Sequence, residues 1–270
     1  GILSELGESW HSEAFDYVRR MTTALGPDSY LRFVEDAKRE AGIPVIASLN
    51  CTSPGQWSDY AERIAGAGAD AIELNLSLMP SGPEESSLEV EDRYLRVVGG
   101  VRARVEIPLA VKIGPHFTAM TRMATRFADQ GASALVLFNR FLQLDVDPER
   151  IEIVPGSRFS SPKDAYTSLR WVSLLYGRVP CDLAAATGVH DGQGIVKLVL
   201  AGAAVVQIAS AIYLHGFGHL GEMLSTVEKW LASKGFSSLD DVRGRLSQAQ
   251  SPNPDAYERF QYIKAVSGLE

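Results

Sequence analysis

From about residue 43 to residue 210, short apolar runs alternate with amphipathic stretches. The runs are Ile43–Asn50, Ala71–Ser77, Ile107–Gly114, Ala134–Arg140, Asp182–Thr187 and Ala204–Ser210. Continuous apolar runs of this length predict strands covered on both faces. Between them, apolar residues return at helical spacing: Trp57, Tyr60, Ile64 and Ala67, then about Val90 to Val105, then Met120, Met123 and Phe127. Leu169, Val172 and Leu175 continue the pattern, as do Ile195, Leu198 and Val199. An excursion from Phe141 to Pro162 breaks the rhythm, and Ile151–Val154 within it predicts a hairpin. Ahead of the repeat, Trp10, Phe15 and Val18 make one apolar stripe, and Pro27-Asp28 opens a helix that Ala41-Gly42 stops. After the last strand only helices are expected.

Strand–helix alternation of this kind predicts an α/β fold with a parallel sheet. The short units favour a (β/α)8 TIM barrel, of which six strands are visible. The chain starts at Gly1 rather than Met, so the reading places the first two barrel strands upstream. An open six-stranded α/β sheet is the structural alternative. The domain reading is a single barrel domain over residues 1–270. It comprises a helical lead-in (1–42), barrel units (43–235) and a helical tail (236–270).

Composition narrows the function. At 270 residues with 46% hydrophobic content, the chain can bury one large core. A net charge of -7 without a Lys/Arg run argues against nucleic acid. Cys51 and Cys181 lie far apart without a CxxC spacing, so no zinc site or disulfide framework is indicated, which suits a reducing cytoplasm. No apolar run reaches the roughly 18–20 residues that span a bilayer. His116, His190 and His215 show no metal-ligand spacing and read as surface or capping residues.

The polar exceptions fall at strand ends: Asn50, Asn75 with Ser77, Lys112, Asn139, Thr187-Gly188 and Ala209-Ser210. In a parallel barrel these ends share one rim, where ligands bind. Lys112 interrupts an apolar strand and needs either an ion pair with Glu73 or a ligand. The loops from Thr187 to Gly192 and from Gln207 to Ser210 each lead from a strand into a helix, a pattern that cradles phosphate. Ordinary tight turns are the alternative there.

These residues carry a resemblance. Glu73-Leu-Asn-Leu-Ser77, Ala110-Val-Lys-Ile113, Leu137-Phe-Asn-Arg140, Ala186-Thr-Gly-Val189 and Gln207-Ile-Ala-Ser-Ala211 are similar in order and spacing to segments of the dihydroorotate dehydrogenases. The likeness is to the soluble, FMN-containing class and runs from about Ile43 to Gly235. Ser160-Ser-Pro162, Leu169-Arg-Trp171 and Arg243–Gln248 also resemble a bacterial dihydroorotate dehydrogenase-like branch. The resemblance implies an FMN-binding barrel that oxidises dihydroorotate to orotate in pyrimidine biosynthesis. Asn75 and Lys112 would contact the flavin ring, and Ser160 and Ser161 would line it. Amides at Thr187, Gly188, Ala209 and Ser210 would hold the phosphate, and Asn139 and Asn50 would reach the substrate. A homodimer and a redox partner protein are further expectations.

The chain departs from the family pattern where a Cys or Ser base follows the Asn-Leu-Ser segment. Leu78 stands there and cannot take a proton, and Leu78-Met79-Pro80 replaces the usual Cys-Pro-Asn, with Ser81 nearby. Two other readings therefore stay open. One is a flavin-binding barrel without dihydroorotate activity that serves electron transfer or a partner. The other is a flavin-free barrel for a phosphorylated metabolite.

Overall fold

A computed structural model describes residues 26–51, 54–78, 82–141, 143–255 and 257. Trp10, Phe15, Val18, Met79, Pro80, Ser81 and the tail beyond residue 257 lie outside them. Helix α1 (Pro27–Glu40) starts at Pro27, stops at Ala41 and buries Val34. The strand–helix series then runs β1 (Ile46–Leu49), α2 (Pro54–Gly66), β2 (Ala71–Asn75), α3 (Ser87–Arg102), β3 (Leu109–Ile113), α4 (Met120–Asp129) and β4 (Ala134–Leu137). The excursion folds as an antiparallel hairpin of β5 (Leu144–Asp147) and β6 (Glu152–Pro155). The series resumes with α5 (Ala165–Leu175), β7 (Asp182–Ala185), α6 (Gly192–Ala201), β8 (Val205–Val206), α7 (Ser210–His215) and α8 (Gly218–Lys234). Residues 236–251 then run as turns with one 3-10 turn at Gln248–Gln250, where helix was expected. The reason is local: Asp241 accepts from the Ser237 and Ser238 amides, and Gly244 takes a positive φ of 74°.

The main sheet is parallel, in the order β1-β2-β3-β4-β7-β8. Alternation along each strand sorts its residues between two faces. Ala47, Leu49, Ile72, Leu74, Val111, Ile113, Leu135, Leu137 and Leu183 point outward and join the helices in the principal core. Trp57, Ile64, Val98, Met123, Phe127 and Val172 meet them from the helices. The inward face carries small residues, and Val136, Ala184 and Ala186 form a separate cluster packed with Ala110. Ile46 and Val205, on the two edge strands, are 54% and 51% exposed.

The sheet is curled. Neighbouring strands lie about 4.8 Å apart, so in a flat sheet β2 and β8 would stand about 19 Å apart in this order. Yet Gln207, just beyond β8, bonds Glu73 of β2 at 2.5 Å and Lys112 of β3 at 2.8 Å. Side chains of that length cannot bridge the flat distance. This disposes of the open flat sheet and leaves six strands of a (β/α)8 barrel, with inward-facing polar groups meeting on its axis. Among the described residues, no helix is long and apolar enough to cross a membrane.

Candidate active site

The strand ends converge as the rim argument requires. Lys112, Asn139, Arg140, Ser160, Thr187, Gly188, Gln207, Ala209 and Ser210 line one cavity of about 190 Å³. Asn75 reaches it through a 2.8 Å bond accepted from the Asn139 amide. Two expected residues are elsewhere. Asn50 is exposed at the end of β1. Ser161 is also exposed, and its amide and hydroxyl both donate to Asp164 in a capping box that starts the turn before α5.

Lys112 stands beside Glu73, the ion-pair partner expected from the sequence, and lines the cavity as well. Its ammonium lies 3.6 Å from the buried Glu73 carboxylate and donates at 2.8 Å to Gln207 Oε1, while the side chain still faces the cavity. Glu73 is 5% exposed and also accepts from the Ser48 hydroxyl at 2.9 Å. A buried carboxylate is tolerated because the Ser48 hydroxyl and the Gln207 amide donate to it and the Lys112 charge lies close by. Gln207 was quoted from the sequence only as part of a motif. Its role depends on the curl, which strand periodicity does not report.

The two phosphate-type loops are built from unusual backbone. Thr187 and Gly188 both take positive φ, 76° and 78°. For a β-branched residue that conformation is strained and must be held by its surroundings. The Thr187 hydroxyl donates to the Phe138 carbonyl at 3.1 Å. The Leu137–Phe138 peptide beside it is cis. Gly188 is required twice, because a Cβ there would overlap the Ala165 amide and stand 2.8 Å from the Asp164 carbonyl carbon. Among the described residues, no acceptor meets the backbone amides of Gly188, Val189, Ala209 or Ser210. At the N-terminus of α6, Asp191 caps the helix, accepting from the Gly194 amide at 2.7 Å.

The excursion closes one side. The Arg140 guanidinium donates to the carbonyls of Ser157, Arg158 and Phe159. The Ser160 amide donates to Ser210 Oγ at 3.0 Å, and Ser160 Oγ lies 3.1 Å from His190 Nε2. His190 is therefore a half-buried site neighbour rather than a surface residue. Its carbonyl is held by His219 at 2.8 Å, a contact that raises the His219 pKa, with Glu222 adding to it. Arg140 and His190 carried no spacing signal in the sequence. His116 is exposed, its ring 5.4 Å from that of Phe141.

Beyond β2 the chemistry changes. Leu78 is half-buried, and its amide and carbonyl are gripped by the Tyr94 hydroxyl at 2.9 and 3.2 Å. Burial pushes the Tyr94 phenol above its ordinary pKa. Leu78, Tyr94, His116, Phe117 and Phe141 help line a second cavity of about 400 Å³. Its carboxylates are already paired, Glu85 with Arg93 and Glu91 with Arg126.

Comparison with known proteins agrees with this geometry. The family model for dihydroorotate dehydrogenase matches residues 22–231. A protein of Aeropyrum pernix named "Putative dihydroorotate dehydrogenase A (fumarate)" is 32% identical over 214 residues, covering 78% of this chain and 70% of its own. The catalytic subunits of dihydroorotate dehydrogenase B (NAD(+)) from Methanosarcina acetivorans and Pyrococcus furiosus are each 28% identical over 221 residues. They are covered to 70% and 72%, against 80% and 78% of this chain.

Proposed function

This chain belongs to the dihydroorotate dehydrogenase family, and from that premise we propose that it is an FMN-dependent oxidoreductase acting on the CH–CH bond of dihydroorotate or a close analogue. The observation that carries the reading is the cavity lined together by Lys112 and by loops whose Gly188, Val189, Ala209 and Ser210 amides meet no acceptor among the described residues. That donor set fits a flavin mononucleotide, with an electron-rich ring at one end and a phosphate at the other. When bound, the flavin supplies the hydride acceptor. Lys112 would stabilise negative charge on the ring, and Asn75 would meet the ring beside it. The amides of Thr187, Gly188, Ala209 and Ser210 would take the phosphate, and Ser160 would close over the ring. Asn139, already oriented by Asn75, would bind the substrate. Ser161 and Asn50 keep the roles of flavin and substrate contacts only if their loops move on binding.

The proposal covers a single barrel domain in the cytoplasm, working as a homodimer or with a redox partner protein. The names of two relatives as catalytic subunits of an NAD(+) enzyme favour the partner. The second reading, a flavin barrel that passes electrons without oxidising dihydroorotate, is favoured by one residue. Leu78 cannot accept the proton that oxidation releases.

The test is the visible spectrum of the full-length protein reconstituted with FMN, taken anaerobically before and after dihydroorotate. A flavin band that bleaches is the expected result. A band that persists supports the second reading, and failure to bind FMN overturns both.

A further inference from the structure

Four polar side chains cross the inside of the barrel in one chain of contacts. Ser48 Oγ donates to Glu73 Oε1 at 2.9 Å, Gln207 Nε2 donates to Glu73 Oε2 at 2.5 Å, and Lys112 Nζ donates to Gln207 Oε1 at 2.8 Å. The direction of the Gln207 carboxamide follows from chemistry. An ionised carboxylate only accepts and an ammonium only donates, so the NH2 must face Glu73 and the oxygen must face Lys112. Gln207 therefore stands between a buried anion and a cation whose direct separation, 3.6 Å, is too long for a good hydrogen bond.

That placement has a consequence for Lys112. Without the carboxamide, the ammonium and the carboxylate would close on each other, because an uncompensated pair in a dry interior gains from contact. The cation would turn from the cavity toward the barrel axis, and its charge would be spent on Glu73. With the carboxamide in place, Lys112 is held by one neutral acceptor and keeps its charge directed at the cavity it lines.

We propose that Gln207 is a positioning residue that holds the Lys112 ammonium out toward the cavity and so sets both the affinity for the ligand ring and the ease with which that ring is reduced. The effect on the ring rests on the flavin reading above, whereas the effect on Lys112 does not.

The experiment uses the full chain as wild type, Gln207→Leu and Gln207→Glu. The first readout needs no flavin: hydrogen exchange of the Lys112 ammonium, followed by nitrogen-15 NMR of the side-chain Nζ and assigned with Lys112→Arg. A held ammonium exchanges slowly. The expected result is a change of at least severalfold in exchange rate in both variants, with a displaced Nζ resonance. The second readout is the reduction potential and dissociation constant of bound FMN. Both variants should lower the potential and weaken binding, because the Lys112 charge is then shared with one carboxylate or two. Gln207 serving only as a stitch across the sheet would lower thermal stability yet leave the Lys112 signal and the flavin potential unmoved, and that outcome overturns the proposal. Gln207→Glu is nearly isosteric and serves where Gln207→Leu fails to fold. If the wild type binds no FMN but its Lys112 exchange still depends on Gln207, the flavin reading falls and the positioning inference stands. If FMN binds and neither variant moves the lysine or the potential, the reverse holds.

Discussion

Two sectors of one rim have diverged. The sector after β3, β7 and β8 is dense with polar groups: a lysine held on a glutamine, loop amides that meet no acceptor among the described residues, and a serine bonded to a histidine. The sector after β2 presents Leu78, its backbone tied to Tyr94, beside a larger cavity walled by aromatics and paired carboxylates. On the proposed reading, the first sector would hold an electron-rich ring and its phosphate. The second has no group at position 78 to move a proton. Binding and proton transfer are thus separable in this fold, since each loop answers to its own strand while the core below stays common.

The sharpest way to break that contrast is to restore a base. Leu78→Cys should raise dihydroorotate turnover by about 10²-fold or more, the ordinary contribution of a general base, as read by anaerobic single-turnover kinetics. An unchanged rate would mean that the second sector was rebuilt for a different substrate. The next test damages the first sector. Gly188→Ala puts a methyl into the Ala165 backbone at a φ of 78°, and should cost roughly 2–5 kcal/mol in denaturant unfolding together with FMN binding. Lys112→Gln should weaken FMN by about 10–100-fold, the scale of one hydrogen bond to a charged group, in a fluorescence titration. The smallest effect belongs to the opposite end of the barrel. There Lys38, and then the Val45 amide, hold the Asp70 carboxyl below its usual pKa. A depressed carboxyl stabilises fully above its ordinary pKa, and that contribution is lost as pH falls through the lowered value. The melting-temperature gap between wild type and Asp70→Asn should therefore shrink in acid, with FMN binding near neutrality unchanged.

Much of this was legible because burial writes itself into periodicity. The strand runs around Ile72, Leu109, Leu135 and Leu183 had to be apolar, as both faces of an interior barrel strand are covered, and the edge runs around Val45 and Val205 share the pattern. Lys112 and Asn139 stood out as polar exceptions at strand ends, and both line the cavity. Ser161 stands off the cavity because Ser also caps helices, and the partner three residues on, Asp164, engages it there. Asp191 likewise caps α6, a role that no strand-end pattern reports. The contacts of Gln207, Arg140 and His190 were not legible because their partners lie far away in sequence. The Gln207–Glu73 bond spans 134 residues, and no local pattern encodes it.

The hairpin of β5 and β6 is held at its base. Arg140, ahead of it, clamps the carbonyls of residues 157–159 that follow it, and the Ser160 amide ties that same foot to Ser210. Ile151, at its turn, is 90% exposed. Because the two feet are clamped to each other and one of them to the rim, the turn between β5 and β6 carries none of these contacts. The turn from Pro148 to Ile151 is thus the natural point of entry for grafted sequence: an epitope, a fluorophore handle or a fused domain could be spliced there while the rim keeps its shape.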